Sequence, residues 1–162
     1  MKLLICGLLL GTLSLFSAEP AEIKPLKPYV DEVIAEFHKE SEDKMSFNQM
    51  AYVGRRCAAL YSVMALFVSE SAESFDDPDV SKTLDARAVT YMHVARMINK
   101  TQVKASEEFV TDQFQVLAMA YATMMKDNKI LNNDLFPPFV RADTAAAMEI
   151  YPYFEAFMSE DE

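Results

Sequence analysis

Met50-Ala51-Tyr52-Val53-Gly54-Arg55-Arg56-Cys57-Ala58-Ala59-Leu60-Tyr61-Ser62-Val63-Met64-Ala65-Leu66-Phe67 decides the fold. Met50, Val53, Cys57, Leu60, Met64 and Phe67 follow at alternating steps of three and four, which lines one side of an α-helix as a coiled-coil-like seam. Ser46-Phe47-Asn48-Gln49 just ahead has the pattern of a capping box, with Met45 and Met50 spaced as a hydrophobic staple. The helix is predicted to end near Ser71.

Working outward, two further seams have the same spacing: Leu84, Ala88, Tyr91, Ala95 and Ile98, then Val110, Phe114, Leu117, Tyr121 and Met124. The first follows Asp76-Asp77-Pro78-Asp79, where Asp77 reads as a cap and Pro78 as the first helical residue. Between the two the phase breaks, so a turn is predicted in Asn99–Glu108; the alternative is one continuous helix of unusual length. Ser106 is expected to cap the next helix, with Glu107 and Glu108 favouring its dipole. Upstream, Pro28 to Glu40 reads as a helix with Val30, Ile34 and Phe37 on one stripe. Downstream, Asn132-Asn133-Asp134 and Pro137-Pro138 mark a loop. Asp143 then reads as the cap of a short helix, Thr144–Ile150, which Pro152 stops or kinks.

Glycine and proline agree with an all-α chain. Gly54 is the single glycine after residue 11, and no proline lies between Pro28 and Pro78 or between Pro78 and Pro137. A β-protein of this size would need many more turn residues. Cys57–Ser69 and Gln113–Met125 each run thirteen residues without charge. Both are shorter than the roughly 20 residues that cross a bilayer, so they read as central helices of a bundle. The expected architecture is an antiparallel four-helix-type bundle with a short C-terminal helical segment.

Residues 1–18 read as a signal peptide. Lys2 is followed by an apolar run from Leu3 to Phe16, then by Ser17-Ala18 and the polar Glu19-Pro20, the order of a secretory leader cleaved after Ala18. Residues 19–27 read as an extended lead-in and 28–162 as one helical-bundle domain. Export, to a periplasm or outside the cell, is therefore expected, with no membrane span after cleavage. The mature chain would keep Cys57 alone, so no internal disulfide is expected.

The whole chain carries 25 acidic and 15 basic side chains, a net charge of −10. That excess opposes binding to nucleic acid. Glycine-rich phosphate loops and the Gly-x-Ser-x-Gly elbow cannot be built from Gly54 alone. His-Glu-x-x-His and Cys-x-x-Cys-His do not occur. His38 and His93 lack a Glu three residues before them, which a bundle-core di-metal site would supply. Asp76, Asp77 and Asp79 lack the central Gly and terminal Glu of a calcium loop. Asn99-Lys100-Thr101 fits a glycosylation sequon.

Cys57, on the seam, reads as a buried small hydrophobe rather than a nucleophile. Gly54 costs up to about 1 kcal/mol against Ala inside a helix, which close approach of another helix would offset. With Ala58 it forms a small-residue groove, flanked by Arg55 and Arg56, which are able to grip a carboxylate or phosphate. Gly54, Arg55, Arg56 and Ala58 are thus the candidate interaction patch. The blander reading has Gly54 admit an internal helix and both arginines reach solvent. Met92, Met97, Met119 and Met125 lie off the seams, as residues of a widened core or an adaptable contact surface do. The sequence points to an exported, noncatalytic protein that binds a partner protein or itself, without a cofactor. The alternative is a carrier or sensor holding haem, metal or an apolar ligand inside the bundle.

Overall fold

A computed structural model describes residues 23–38, 46–70 and 79–159. Five α-helices pack against one another, and no strand occurs among the described residues. They are α1 (Lys27–Phe37), α2 (Phe47–Glu70), α3 (Val80–Ile98), α4 (Glu107–Asn132) and α5 (Pro138–Ser159). The fold is an all-α bundle. The predicted leader at 1–18, Met45 of the staple, and Asp77 and Pro78 of the third helix start lie outside the described residues.

The central helix is α2, which touches the four others. Its seam residues Met50, Val53, Cys57, Leu60 and Met64 are all buried, and Phe67 is partly so. By length and composition Phe47–Glu70 could cross a membrane, but 78% of its most apolar stretch is buried inside the bundle. The helix starts where the sequence indicates: the Ser46 carbonyl accepts from the N–H groups of Gln49 and Met50 at 2.9 and 3.0 Å. The Gln49 side-chain amide donates to Glu32, so it links this start to α1 instead of closing the expected box with Ser46.

Helices α2 and α3 run antiparallel. Gly54 lies against Tyr91 and Ala95, the Tyr61 ring stacks on Tyr91, and the Ser81 hydroxyl donates to the Ala65 carbonyl at 3.3 Å. The pairing thus advances along one helix as it retreats along the other. All five seam residues of α3 are buried.

The turn between α3 and α4 is a wide, π-type loop over Asn99–Val103. It closes through Lys104, whose φ of 58° lies in the left-handed region, uncommon for a residue with a Cβ. Ser106 caps α4 as expected, its hydroxyl accepting from the Phe109 N–H at 3.1 Å. Glu107 and Glu108 fill the first turn.

Three expectations need correction. Helix α1 stops at Phe37 rather than Glu40, with His38 as its C-cap. The last helix is not the short Thr144–Ile150 but Pro138–Ser159, 22 residues. Pro138 opens it, as proline can where its missing N–H is not needed. Pro152 does not end it, since Ile150 and Phe154 on either side are fully buried and their packing holds the helical path. Finally, Asp143 is no cap. It sits inside α5, 1% exposed, on a 3-4 seam with Val140, Ala147, Ile150 and Phe154.

Candidate binding site around Arg55

The four residues of the sequence patch all lie inside the bundle. Gly54 and Ala58 are buried, and a Cβ added at Gly54 would meet Ala95 Cβ at 3.0 Å, the Tyr91 carbonyl oxygen at 3.2 Å and Phe154 Cε2 at 3.3 Å. The groove is filled by α3 and α5 of the same chain. Gly54→Ala gains about 1 kcal/mol of helix propensity but forces a contact that overpacking makes worth about 1–3 kcal/mol. A net loss of up to about 2 kcal/mol is expected by urea denaturation, because the Tyr91 carbonyl belongs to a helix that cannot yield locally.

Neither arginine is solvated, in contrast to the bland reading. Arg56 is fully buried and completely engaged. Its Nη2 meets Asp143 Oδ2 at 2.6 Å, its Nε donates to the Tyr121 hydroxyl at 2.9 Å, and its Nη1 donates to the Tyr52 hydroxyl at 3.2 Å. The Tyr121 hydroxyl also donates to Asp143 Oδ2, and the Leu26 N–H donates to Asp143 Oδ1 at 2.8 Å. Burial disfavours the Arg56 charge, but Tyr121 and Asp143 outweigh it and raise its pKa. This network ties the start of α1 to α2, α4 and α5. It explains Arg56 as structure.

Arg55, one residue earlier, has no such partner. It is 6% exposed, and its Nε and Nη1 are buried with no hydrogen-bond partner. Burial lowers its pKa, yet a guanidinium stays charged in proteins. Its nearest compensation is the Phe109 ring, 5.6 Å from the guanidinium carbon, worth about 0.5–2 kcal/mol. An unpaired buried ion costs several kcal/mol, so the ring offsets part of it. Arg55 lines an open cavity of about 400 Å³ together with Asn48, Asn99, Val103, Ala105, Ser106 and Phe109.

A second unmet group belongs to the same wall. Asn99 is 1% exposed; its amide nitrogen donates to the Ala95 carbonyl at 2.6 Å, while its Oδ1 is buried and unpaired. The sequon nitrogen is thus committed inside the fold. Beside this cavity, and sharing Asn99 and Ala105 with it, lies a cleft of about 710 Å³ bearing His93, Arg96, Lys100, Lys104 and Glu107. Arg96 pairs with Glu107 at 2.7 Å, leaving the two lysines to make the cleft positive in a chain of net charge −10.

The remaining candidates fall elsewhere. Cys57 is fully buried and burial pushes its thiol pKa well up. Alkylation by iodoacetamide at neutral pH should therefore be negligible in the folded protein and rapid in urea, as mass spectrometry would read directly. His38 is exposed beside the Tyr153 hydroxyl at 2.9 Å, and His93 is exposed on α3. No group of three His, Cys, Asp or Glu side chains is placed to hold a metal among the described residues. Met119 is half-exposed and Met125 fully buried. No known protein family, curated protein or solved structure matches the chain.

Proposed function

We propose that the protein is an exported, noncatalytic helical bundle that acts by binding another envelope or secreted protein. The observation that carries this reading is an apolar stripe on α4. Of the seven exposed large hydrophobic residues among those described, five belong to this helix: Phe109, Val116, Met119, Ile130 and Leu131. At 100° per residue these five fall on one side of the helix, in two groups, Phe109 to Met119 and Ile130 with Leu131, with the exposed Asp112 and Asp127 on the same side. Exposed apolar side chains concentrated on one side of one helix are what a contact surface offers a partner. The Arg56 cluster supports a noncatalytic role, since Arg56, Asp143 and Tyr121 are consumed in holding helices together.

A photo-crosslinking residue at Leu131 should give a discrete protein adduct in the native host, whereas one at the exposed Asp85 on α3 should not. The adduct mass separates a second copy of the chain from a different protein. Identical adducts from both positions, or none from Leu131, would sink the reading. Export rests on the order of residues 1–18 and requires an N-terminus near Glu19, which mass spectrometry of the purified protein reads.

A further inference from the structure

Two adjacent arginines on α2 meet opposite fates. Arg56 is satisfied by a carboxylate and two hydroxyls, while Arg55 keeps buried, unpaired nitrogens on the wall of an open cavity. The Asn99 Oδ1 on the same wall is equally unpaired. Their demands are complementary: the guanidinium lacks an anionic acceptor, and the Asn99 oxygen lacks a donor. Water answers either one but brings no charge to Arg55.

A carboxylate with a neighbouring N–H answers both. Val103, Ala105 and Phe109 supply apolar wall around them, which suits an apolar body on the same ligand. A phosphate dianion fits less well, since it needs several charged donors at once and this cavity offers a single guanidinium. Lys100 and Lys104 in the adjoining cleft would draw an anion toward the mouth against the general negative field. Phe109 belongs both to the cavity wall and to the exposed stripe of α4, so a chain entering the cavity has an apolar track to lie on.

We propose that the cavity over Arg55 receives the C-terminal carboxylate of a partner chain that ends in an apolar residue. The carboxylate meets Arg55, the last peptide N–H meets Asn99 Oδ1, and the terminal side chain packs between Val103 and Phe109. This is the capture of a chain end that a few buried polar groups in an apolar pocket can provide. The inference rests on the reading of the protein as a binding module and adds what the partner must present.

The test is calorimetric titration of the full chain with N-acetylphenylalanine, its carboxamide, 3-phenylpropanoate, inorganic phosphate and a blocked peptide ending in free phenylalanine. N-Acetylphenylalanine should bind saturably, at least about tenfold tighter than the carboxamide, which lacks the charge. It should also bind tighter than 3-phenylpropanoate, which leaves Asn99 unpaired. The peptide should bind tighter still, and Val116→Glu should remove that extra affinity alone. Equal affinity of peptide and N-acetylphenylalanine would assign the cavity to a free acylated amino acid and overturn the partner-chain source. Arg55→Met should abolish binding, and Arg55→Lys should restore part of it, as a point charge does without the planar fork. Because Arg55→Met could unfold, the wild-type Arg55 Nε–H resonance provides an independent reading: it should shift on titration while that of Arg56 stays fixed. Absence of saturable carboxylate binding, binding that Arg55→Met retains, or phosphate binding in its place would overturn the proposal. Loss of the Leu131 adduct with N-acetylphenylalanine binding intact removes the stripe as the contact surface and leaves this site standing.

Discussion

Replacing Asp143 by Ala should destabilise the protein by about 3–5 kcal/mol, the range for stripping one partner from a buried ion pair. The loss has three parts. Arg56, fully buried, would keep its charge without its counter-ion at 2.6 Å. The Leu26 N–H would lose its acceptor, and the Tyr121 hydroxyl would lose one too. The double change Arg56→Met with Asp143→Leu removes the stranded charge, so it should recover much of the loss. Recovery should stop short of complete, because Leu26, Tyr52 and Tyr121 would still lack partners. Urea denaturation of the wild type, Arg56→Met, Asp143→Leu and the double variant closes the cycle. A loss under about 1 kcal/mol for Asp143→Ala would mean that the buried pair is not formed in solution.

Leu60→Ala should cost about 2–5 kcal/mol. Leu60 is fully buried on the central helix, which contacts all four others, so no neighbour can close the cavity without disturbing a second interface. The paired control is Leu131→Ala, at a residue 79% exposed, which should change stability by less than about 0.5 kcal/mol. Both positions are leucines in long helices. Burial alone separates them, and a thermal melt would show one variant several degrees down and the other unmoved.

The cost of Asp143→Ala bears on how binding and stability can be kept apart. Arg55 and Arg56 are neighbours in sequence, yet changes at Arg56 strike a network that spans four helices, while Arg55 holds no hydrogen bond in the described structure. Paired substitution of both arginines would mix the two effects. Single changes at Arg55 isolate the cavity.

The sequence by itself determined the all-α class and the inward faces of α2 and α3. Seam spacing of three and four placed Met50 to Met64 and Leu84 to Ile98 in the core, and each of these seam residues is buried, because periodicity is a local consequence of 3.6 residues per turn. Ser106 was legible for the same reason: a cap is satisfied within its own first turn. Asp143 was not, although it stands on the 3-4 seam of Val140, Ala147, Ile150 and Phe154, where an acid signals a buried partner. The two prolines before it and Thr144 after it imitate a helix start, and Arg56, its true partner, lies 87 positions away. Gly54 could be read as a close-approach site, but not which helices approach. Which of two adjacent arginines is paired and which is left unpaired was likewise undecided by composition or spacing. Successive residues on a helix point about 100° apart, so Arg56 faces the acid of α5 while Arg55 faces Phe109 and a cavity. That difference is set by where the other helices stand, and tertiary packing alone fixes it.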